Sequence, residues 1–199
     1  MVKTDFRQLI FSYRSYTPIP FLIIMVIFAN PTLISLLTGF VIASIGESIR
    51  IWGVGYAGAE TRTTGPVGGS KLVTNGPYAY VRNPLYLGNM IIYLGFGIMS
   101  MALFPYLQII GFVYFLVQYY LIVTLEEEYL SRAFADEYAR YYKHVPRFIP
   151  RLKKYEFAGN LEFNLNEALR SERRTLQSFF AVTALNIVIF LVKNNFLFS

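Results

Sequence analysis

The chain has 199 residues, the size of one domain or of two small ones. Hydrophobic residues make up 55% of it and charged residues only 15%, whereas a soluble domain carries about 25% charged residues. This composition excludes a disordered chain and argues against an ordinary cytosolic enzyme, so we expect a protein with several membrane spans. The absence of cysteine excludes thiolate metal sites, disulfides and cysteine nucleophiles, and the single histidine, His144, excludes a histidine-cluster metal site.

Five apolar runs follow one another along the chain and predict an all-α bundle of about five transmembrane helices. The first run is short for a bilayer of about 30 Å, but a second follows at once and argues against a cleaved signal peptide. We predict one domain with a helical hairpin over 1–57, a central part over 58–150, and a cytoplasmic connector with an extra C-terminal helix over 155–199. The apolar runs are Ile19–Ala29, Leu33–Ala57, Leu85–Leu103, Tyr106–Leu125 and Leu176–Val192.

The basic residues are distributed very unequally between the two sides that these spans create. If the N-terminus is cytoplasmic and all five runs cross, 17 of the 18 Lys and Arg residues lie on one side and only Lys193 on the other. The net charge of +6 therefore indicates the positive-inside rule rather than nucleic-acid binding. We expect both long polar segments, 58–83 and 126–174, and any chemistry they carry, at the cytoplasmic face.

The segment Asn75–Gly88 combines a Gly-Pro turn, two tyrosines, Arg82 and an Asn-Pro pair at the start of the third apolar run. The glycine-rich stretch before it carries no phosphate-loop signature. Free backbone N–H groups at a helix N-terminus favour an anion, and Arg82 adds a bidentate donor for a carboxylate or phosphate. The alternative interpretation is an aromatic belt in which Arg82 only anchors the helix at the membrane interface.

Three carboxylates, Glu126 to Glu128, follow the fourth apolar run on a face that is otherwise basic. Apolar residues at helical spacing predict that the helix continues beyond them, through Leu130, Phe134, Tyr138 and Tyr141. A carboxylate that faces inward would hold a cation or sugar hydroxyls, whereas a solvated acidic turn is the alternative.

Together these two segments resemble a known family. The pattern Gly-x-Tyr-x-x-x-Arg-Asn-Pro-x-Tyr-x-Gly begins at Gly76, and Glu-Glu and a Val-Pro-x-x-x-Pro close follow it further along the chain. The paired motifs are similar to those of the isoprenylcysteine carboxyl methyltransferase and phospholipid methyltransferase superfamily. The resemblance extends roughly over 60–150.

The resemblance implies a pocket for S-adenosylmethionine at the cytoplasmic ends of the third and fourth spans. It implies methyl transfer to a lipophilic acceptor that enters from the bilayer, without a metal or nucleic acid, and makes 58–150 the catalytic core. Arg82 would orient the acceptor and Glu126 would hold the polar end of the cofactor, so these two are the expected catalytic residues. The other expected cofactor-binding residues are Ser70, Lys71, Leu72, Val73, Tyr78, Asn83, Pro84, Leu85 and Tyr86.

Two positions depart from the family pattern and leave the acceptor open. Asn83 stands where the family usually has His and cannot take a proton, and Ile122 stands where the isoprenylcysteine branch tends to carry an Arg. We therefore expect an isoprenylcysteine carboxyl methyltransferase-like enzyme, with a phosphatidylethanolamine-type N-methyltransferase as the alternative. A sterol-type membrane reductase has a similar Arg-His-Pro-x-Tyr motif but needs more helices than this length supplies, and a non-catalytic membrane scaffold or small transporter is the remaining alternative.

Overall fold

The computed structural model describes residues 5–58 and 68–194. Within these ranges the chain forms six α-helices and no β-strand, which confirms the all-α prediction. Residues 59–67 of the predicted polar segment 58–83 lie outside the described residues. The helices are α1 (Phe6–Tyr13), α2 (Pro18–Ile27), α3 (Leu33–Ala57), α4 (Pro84–Ser100), α5 (Tyr106–His144) and α6 (Leu165–Lys193), and Gly76–Ala79 forms a 3₁₀ turn before α4.

Among the described residues, α3, α5 and α6 are long and apolar enough to cross a membrane. A fourth span results if α1 and α2, which a short break separates, count as one. The apolar helix α4 has 17 residues, fewer than the roughly 20 that a perpendicular span needs. The helices thus support an integral membrane protein with three to four candidate spans, and a fifth depends on whether α4 crosses the bilayer.

The bounds of a helix agree with the predicted apolar run when apolar residues extend along the whole helix. The helix α3 coincides with the second run, and α5 continues through the acidic residues to His144, as the spacing predicted, with one non-helical residue at Ala135. The helix α6 begins at Leu165, before the apolar run that starts at Leu176. Its first turns are polar, so the apolar run did not mark the start of the helix.

Local side-chain chemistry explains two helix starts. At the start of α3, the Thr32 backbone N–H donates to Ser35 Oγ at 2.9 Å, and the Ser35 backbone N–H donates to Thr32 Oγ1 at 3.1 Å. At the start of α1, Asp5 Oδ1 accepts a 2.9 Å hydrogen bond from the Arg7 backbone N–H. These bonds satisfy N–H groups that have no partner within the helix.

The chain divides into two compact units, each built from three chain segments. Every predicted site residue belongs to the first unit. The first unit consists of Met1–Arg14, Ile49–Leu87 and Val117–Glu172, and the second of Ser15–Ser48, Gly88–Leu116 and Arg173–Ser199.

In the second unit, α3 and α4 approach each other through glycines. A Cβ on Gly39 would lie 2.5 Å from the Gly95 carbonyl oxygen and 2.5 Å from the Met99 backbone nitrogen. A Cβ on Gly95 would lie 2.5 Å from the Ala43 backbone nitrogen. Backbones this close require small residues on both helices, as in other membrane helix pairs.

Replacing Gly39 with alanine should therefore destabilise the protein, because backbone atoms cannot yield as a flexible side chain can. Overpacking of this kind costs about 1–3 kcal/mol. The thermal unfolding midpoint of Gly39→Ala in detergent should fall below that of the matched control Thr38→Ala, whose side chain is exposed. Equal midpoints for the two variants would show that α3 and α4 are not in such close contact.

Candidate functional site

The acidic run on α5 is divided among different partners, since successive residues of an α-helix are about 100° apart. Glu126 is half-buried, and its Oε1 accepts a 2.7 Å hydrogen bond from the hydroxyl of Tyr86 on α4. The Tyr86 ring stacks on Tyr119, with centroids 4.7 Å apart and an interplanar angle of 29°. The structure thus brings together two residues predicted for the site, Glu126 and Tyr86, and adds Tyr119, which the sequence did not indicate.

The next carboxylate, Glu127, is buried between two arginines. Arg82 contacts Oε1 through Nε at 3.0 Å and through Nη2 at 2.9 Å. Arg147 donates from Nη2 to Oε2 and from Nε to Oε1, the latter at 3.3 Å. This cluster of Arg82, Glu127 and Arg147, the arginine–glutamate cluster, joins the residues before α4 to α5 and to the segment after α5.

The other side-chain hydrogen bonds of Arg82 connect it to the C-terminal end of α5. Its Nη1 donates to the carbonyl oxygens of Tyr142, at 3.0 Å, and of Val145. Its guanidinium carbon lies 4.1 Å from the centroid of the Tyr142 ring, and its side chain is only 8% exposed. The observed role of Arg82 is therefore to hold the end of α5, while its predicted contact with the methyl acceptor stays a prediction.

Glu128 binds the N-terminal helix. Its Oε2 accepts a 3.0 Å hydrogen bond from Arg7 Nη2, and Arg132 lies 3.7 Å away one turn later on α5. Arg7 in turn pairs with Asp5 at 2.6 Å. This partly exposed carboxylate has partners on α1 and α5, and these are different from the partners of Glu126.

The segment after α5 runs antiparallel to the residues just before α4 and bonds to their backbone, and it also bonds to the C-terminal end of α3. We call residues 145–164 the strap. The family resemblance extends only to about residue 150, so it predicts no role in the site for the second half of the strap. The bonds are Arg82 N–H to Pro146 O at 2.8 Å, Arg151 N–H to Tyr80 O at 2.9 Å, Tyr155 N–H to Ala79 O at 3.0 Å and Asn164 N–H to Gly55 O at 2.9 Å.

Side chains add to this attachment. Asn83, which stands in place of the family's histidine, donates its Nδ2 to the Arg147 carbonyl at 3.1 Å. Tyr141, on the apolar face of α5 that the spacing predicted, is buried and donates its hydroxyl to the Tyr78 carbonyl at 2.8 Å. Asn83 thus serves as a hydrogen-bond donor in the structure, which an amide can do without a titrating proton.

Tyr78 lies in the 3₁₀ turn, within range of charges on several helices. Desolvation raises the pKa of its phenol, the charges of Glu126 and Glu172 raise it further, and Arg50 lowers it, so Tyr78 stays neutral at physiological pH. Arg50 Nη2 on α3 lies 2.8 Å from both carboxylate oxygens of Glu172 on α6, and Glu172 is fully buried. The two members of this ion pair are 122 residues apart, so no local sequence pattern indicates it.

The other predicted cofactor residues differ in exposure. Ser70 and Lys71 are exposed, while Leu72 and Val73 are half-buried. Pro84 is fully buried at the first position of α4. A Cβ on Gly53 would lie 2.8 Å from the Leu85 side chain, so Leu85 packs closely against α3.

The family model of phospholipid methyltransferases matches residues 26–137, more than half of the chain. The chain belongs to this family. The matched part includes Arg82, Tyr86 and the acidic run, and it ends before Arg147 and the strap. The family that the sequence motifs indicated is thus confirmed, while the Val-Pro-x-x-x-Pro close and the rest of the strap lie beyond the matched part.

Two relatives are the cobalt-zinc-cadmium resistance protein of Cupriavidus metallidurans and the nickel-cobalt-cadmium resistance protein of Alcaligenes xylosoxydans xylosoxydans, 33% identical over 129 and 119 residues. The protein-S-isoprenylcysteine O-methyltransferase of Schizosaccharomyces pombe is 41% identical over 80 residues. These stretches cover 63%, 59% and 40% of this chain and 53%, 49% and 33% of the respective relatives, so the chain spans about half the length of the first two. No solved structure matches the chain.

Within residues 5–58 and 68–194, no group of three or more His, Asp or Glu side chains is placed to hold a metal ion.

Replacing Glu127 with alanine should leave two arginines close together without their shared carboxylate. Breaking a buried ion pair in this way costs about 3–5 kcal/mol. The thermal midpoint of Glu127→Ala should therefore fall far below that of Glu137→Ala, whose carboxylate is exposed on the same helix. A midpoint close to that of the control would mean that the arginine–glutamate cluster does not stabilise the first unit.

Proposed function

We propose that this protein transfers a methyl group from S-adenosylmethionine to a lipophilic acceptor in the membrane, as an isoprenylcysteine carboxyl methyltransferase-like enzyme. Membership of the phospholipid methyltransferase family and the Schizosaccharomyces pombe relative support the reaction class. The observation that carries the proposal is the 2.7 Å hydrogen bond between Tyr86 and Glu126. It sets the polar groups of the two family motifs side by side, although they are distant in the chain.

The residues around this bond fit the chemistry of the cofactor. Tyr86 uses Oε1 of Glu126, and the lone pairs of Oε2 suit an ammonium or hydroxyl group. The aromatic faces of Tyr86 and Tyr119 suit a sulfonium cation, and the first backbone N–H groups of α4 suit a carboxylate. When bound, S-adenosylmethionine supplies an activated methyl group. The chain binds the cofactor, orients it towards the acceptor and excludes water from the site.

The remaining predicted residues complete this proposed site. The backbone of four residues contacts the cofactor: Ser70, Lys71, Leu72 and Val73. The cofactor pocket is lined by the side chains of Tyr78, Asn83, Pro84 and Leu85. Arg82, held in place by Glu127 and by the end of α5, orients the methyl acceptor in this proposal. Such positioning contributes roughly 7–11 kcal/mol to reactions of two bound partners.

The acceptor is a lipid-like molecule with either a carboxylate or an amine. The relative from Schizosaccharomyces pombe is named for isoprenylcysteine, and a similar acceptor is our first choice. One observation favours the phosphatidylethanolamine-type amine instead. Ile122 is fully buried and apolar, so this position of α5 supplies no cation for a substrate carboxylate.

Incubation of the purified protein with methyl-tritiated S-adenosylmethionine and total membrane lipid tests the function. We expect radioactivity in the organic extract, and much less of it with the Glu126→Gln variant. Label that alkali releases as methanol identifies a methyl ester, and label that resists alkali identifies a methylated amine. Absence of protein-dependent label from the extract, with added isoprenylcysteine as well as membrane lipid, would contradict the proposal.

The two outer carboxylates of the acidic run should affect cofactor binding differently. Glu126→Gln removes a charged acceptor from the proposed site, which costs about 1.5–3 kcal/mol, or about 10- to 150-fold in dissociation constant. Glu128→Gln is the matched control, since its carboxylate binds Arg7 on α1. Calorimetry with S-adenosylhomocysteine measures both variants, and equal affinities would remove Glu126 from the site.

We further propose that α4 crosses the bilayer and completes five spans, with the N-terminus and both polar segments cytoplasmic. The unequal distribution of basic residues supports this orientation, and it places the C-terminus on the far side. Reporter fusions at Gly69 and after Ser199 should report opposite compartments. If both fusions report the same compartment, the five-span arrangement is wrong.

A further inference from the structure

A pocket of about 430 Å³ lies where the strap and the start of α6 meet the C-terminal end of α3, within the first unit. Its walls carry two aromatic rings, two carboxylates, amide side chains and one ammonium group. None of the residues after 137 falls within the family match. The wall residues that matter here are Tyr56, Lys71, Glu162, Phe163, Asn164 and Glu167.

The pocket is a built feature, because Gly55 on α3 makes room for the strap. A Cβ on Gly55 would lie 2.2 Å from the Phe163 ring, and the Gly55 carbonyl accepts the Asn164 backbone N–H at 2.9 Å. With this close approach, the rings of Phe163 and Tyr56 meet at a centroid distance of 5.6 Å. The strap is therefore attached to α3 at the edge of the pocket.

The pocket is connected to the proposed cofactor site through the residues before α4. Lys71 is one of the residues whose backbone is predicted to contact the cofactor, and it lies in the pocket wall. A Cβ on Gly76 would lie 2.3 Å from the Tyr56 ring, so the 3₁₀ turn is in contact with that wall. Two residues later in the same turn, Tyr78 is close enough to Glu126 for that charge to raise its pKa.

The chemistry of the walls suits a nucleoside. Pockets for small ligands have volumes of roughly 300–1,000 Å³, a range that includes this one. Aromatic rings pack against a planar base, and a carboxylate is the side chain that dinucleotide-binding folds use to hold ribose hydroxyls. Glu162 is exposed at the pocket, where its carboxylate can accept such bonds.

We propose that this pocket takes the adenosine part of S-adenosylmethionine, with Glu162 accepting hydrogen bonds from the ribose and the Tyr56–Phe163 pair packing against the adenine. The inference rests on the proposed function and gives the strap a direct part in it. Glu126 then holds the amino-acid end of the same molecule. Recognition of the cofactor by this chain depends on residues beyond the family match.

Binding of S-adenosylhomocysteine to the purified full chain tests this assignment without any turnover. The chain has one tryptophan, Trp52, one helical turn before Tyr56, and its fluorescence should change when the nucleoside enters. Glu162→Gln should raise the dissociation constant about 10-fold or more. Glu156→Gln, an exposed change elsewhere on the strap, should leave it within about twofold. Adenosine alone should compete with S-adenosylhomocysteine for the parent protein.

The outcomes separate this inference from the proposed function. If the parent protein binds S-adenosylhomocysteine and Glu162→Gln binds it as tightly as Glu156→Gln does, the pocket assignment is wrong and the proposed function stands. If the parent protein does not bind S-adenosylhomocysteine, both fail. Glu162→Gln keeps its size and exposure, so its thermal midpoint should match that of the control. A conservative change of the ring pair, Phe163→Leu, should also weaken binding, and unchanged binding in this variant would count against adenine packing there.

Discussion

The arrangement of the candidate site depends on one buried carboxylate that two arginines share. Glu127 holds Arg82 before α4 and Arg147 after α5. Because Glu126 directly precedes Glu127 on the same helical turn, fixing Glu127 also fixes the direction in which Glu126 meets Tyr86. The arginine–glutamate cluster thus sets the geometry of Glu126 and Tyr86 in the proposed cofactor site. Arg147 and Arg82 leave this cluster with a net positive charge at what we propose is the cytoplasmic face.

Different interactions stabilise the interior of each compact unit. The second unit relies on close backbone approach at glycines such as Gly39 and Gly95, which suits helices surrounded by lipid. The first unit relies on ion pairs and on the strap, and it contains the buried pair Arg50–Glu172. Buried charges are costly unless they are paired, and the ion pairs of the first unit meet this condition.

Sequence patterns predicted the parts of the fold that depend on local periodicity. The bounds of α3 follow from its apolar run, and the continuation of α5 to Tyr141 follows from the helical spacing of apolar residues. The start of α6, the partners of Arg82 and the strap do not, because they depend on contacts between residues that are distant in the chain. Arg147 could have been suspected from its place in the Val-Pro-x-x-x-Pro close, since an extra cation there needs a carboxylate. The roles of the predicted cofactor residues stay predictions.

Hydrogen–deuterium exchange with and without S-adenosylhomocysteine tests the central claim most directly, because it shows where the cofactor acts on the chain. We predict slower exchange in peptides that cover residues 70–86 and 119–128, which lie in the first unit. Peptides from the second unit, such as those within 33–46, should exchange at the same rate in both conditions. Protection confined to the second unit, or no protection at saturating ligand, would contradict the account.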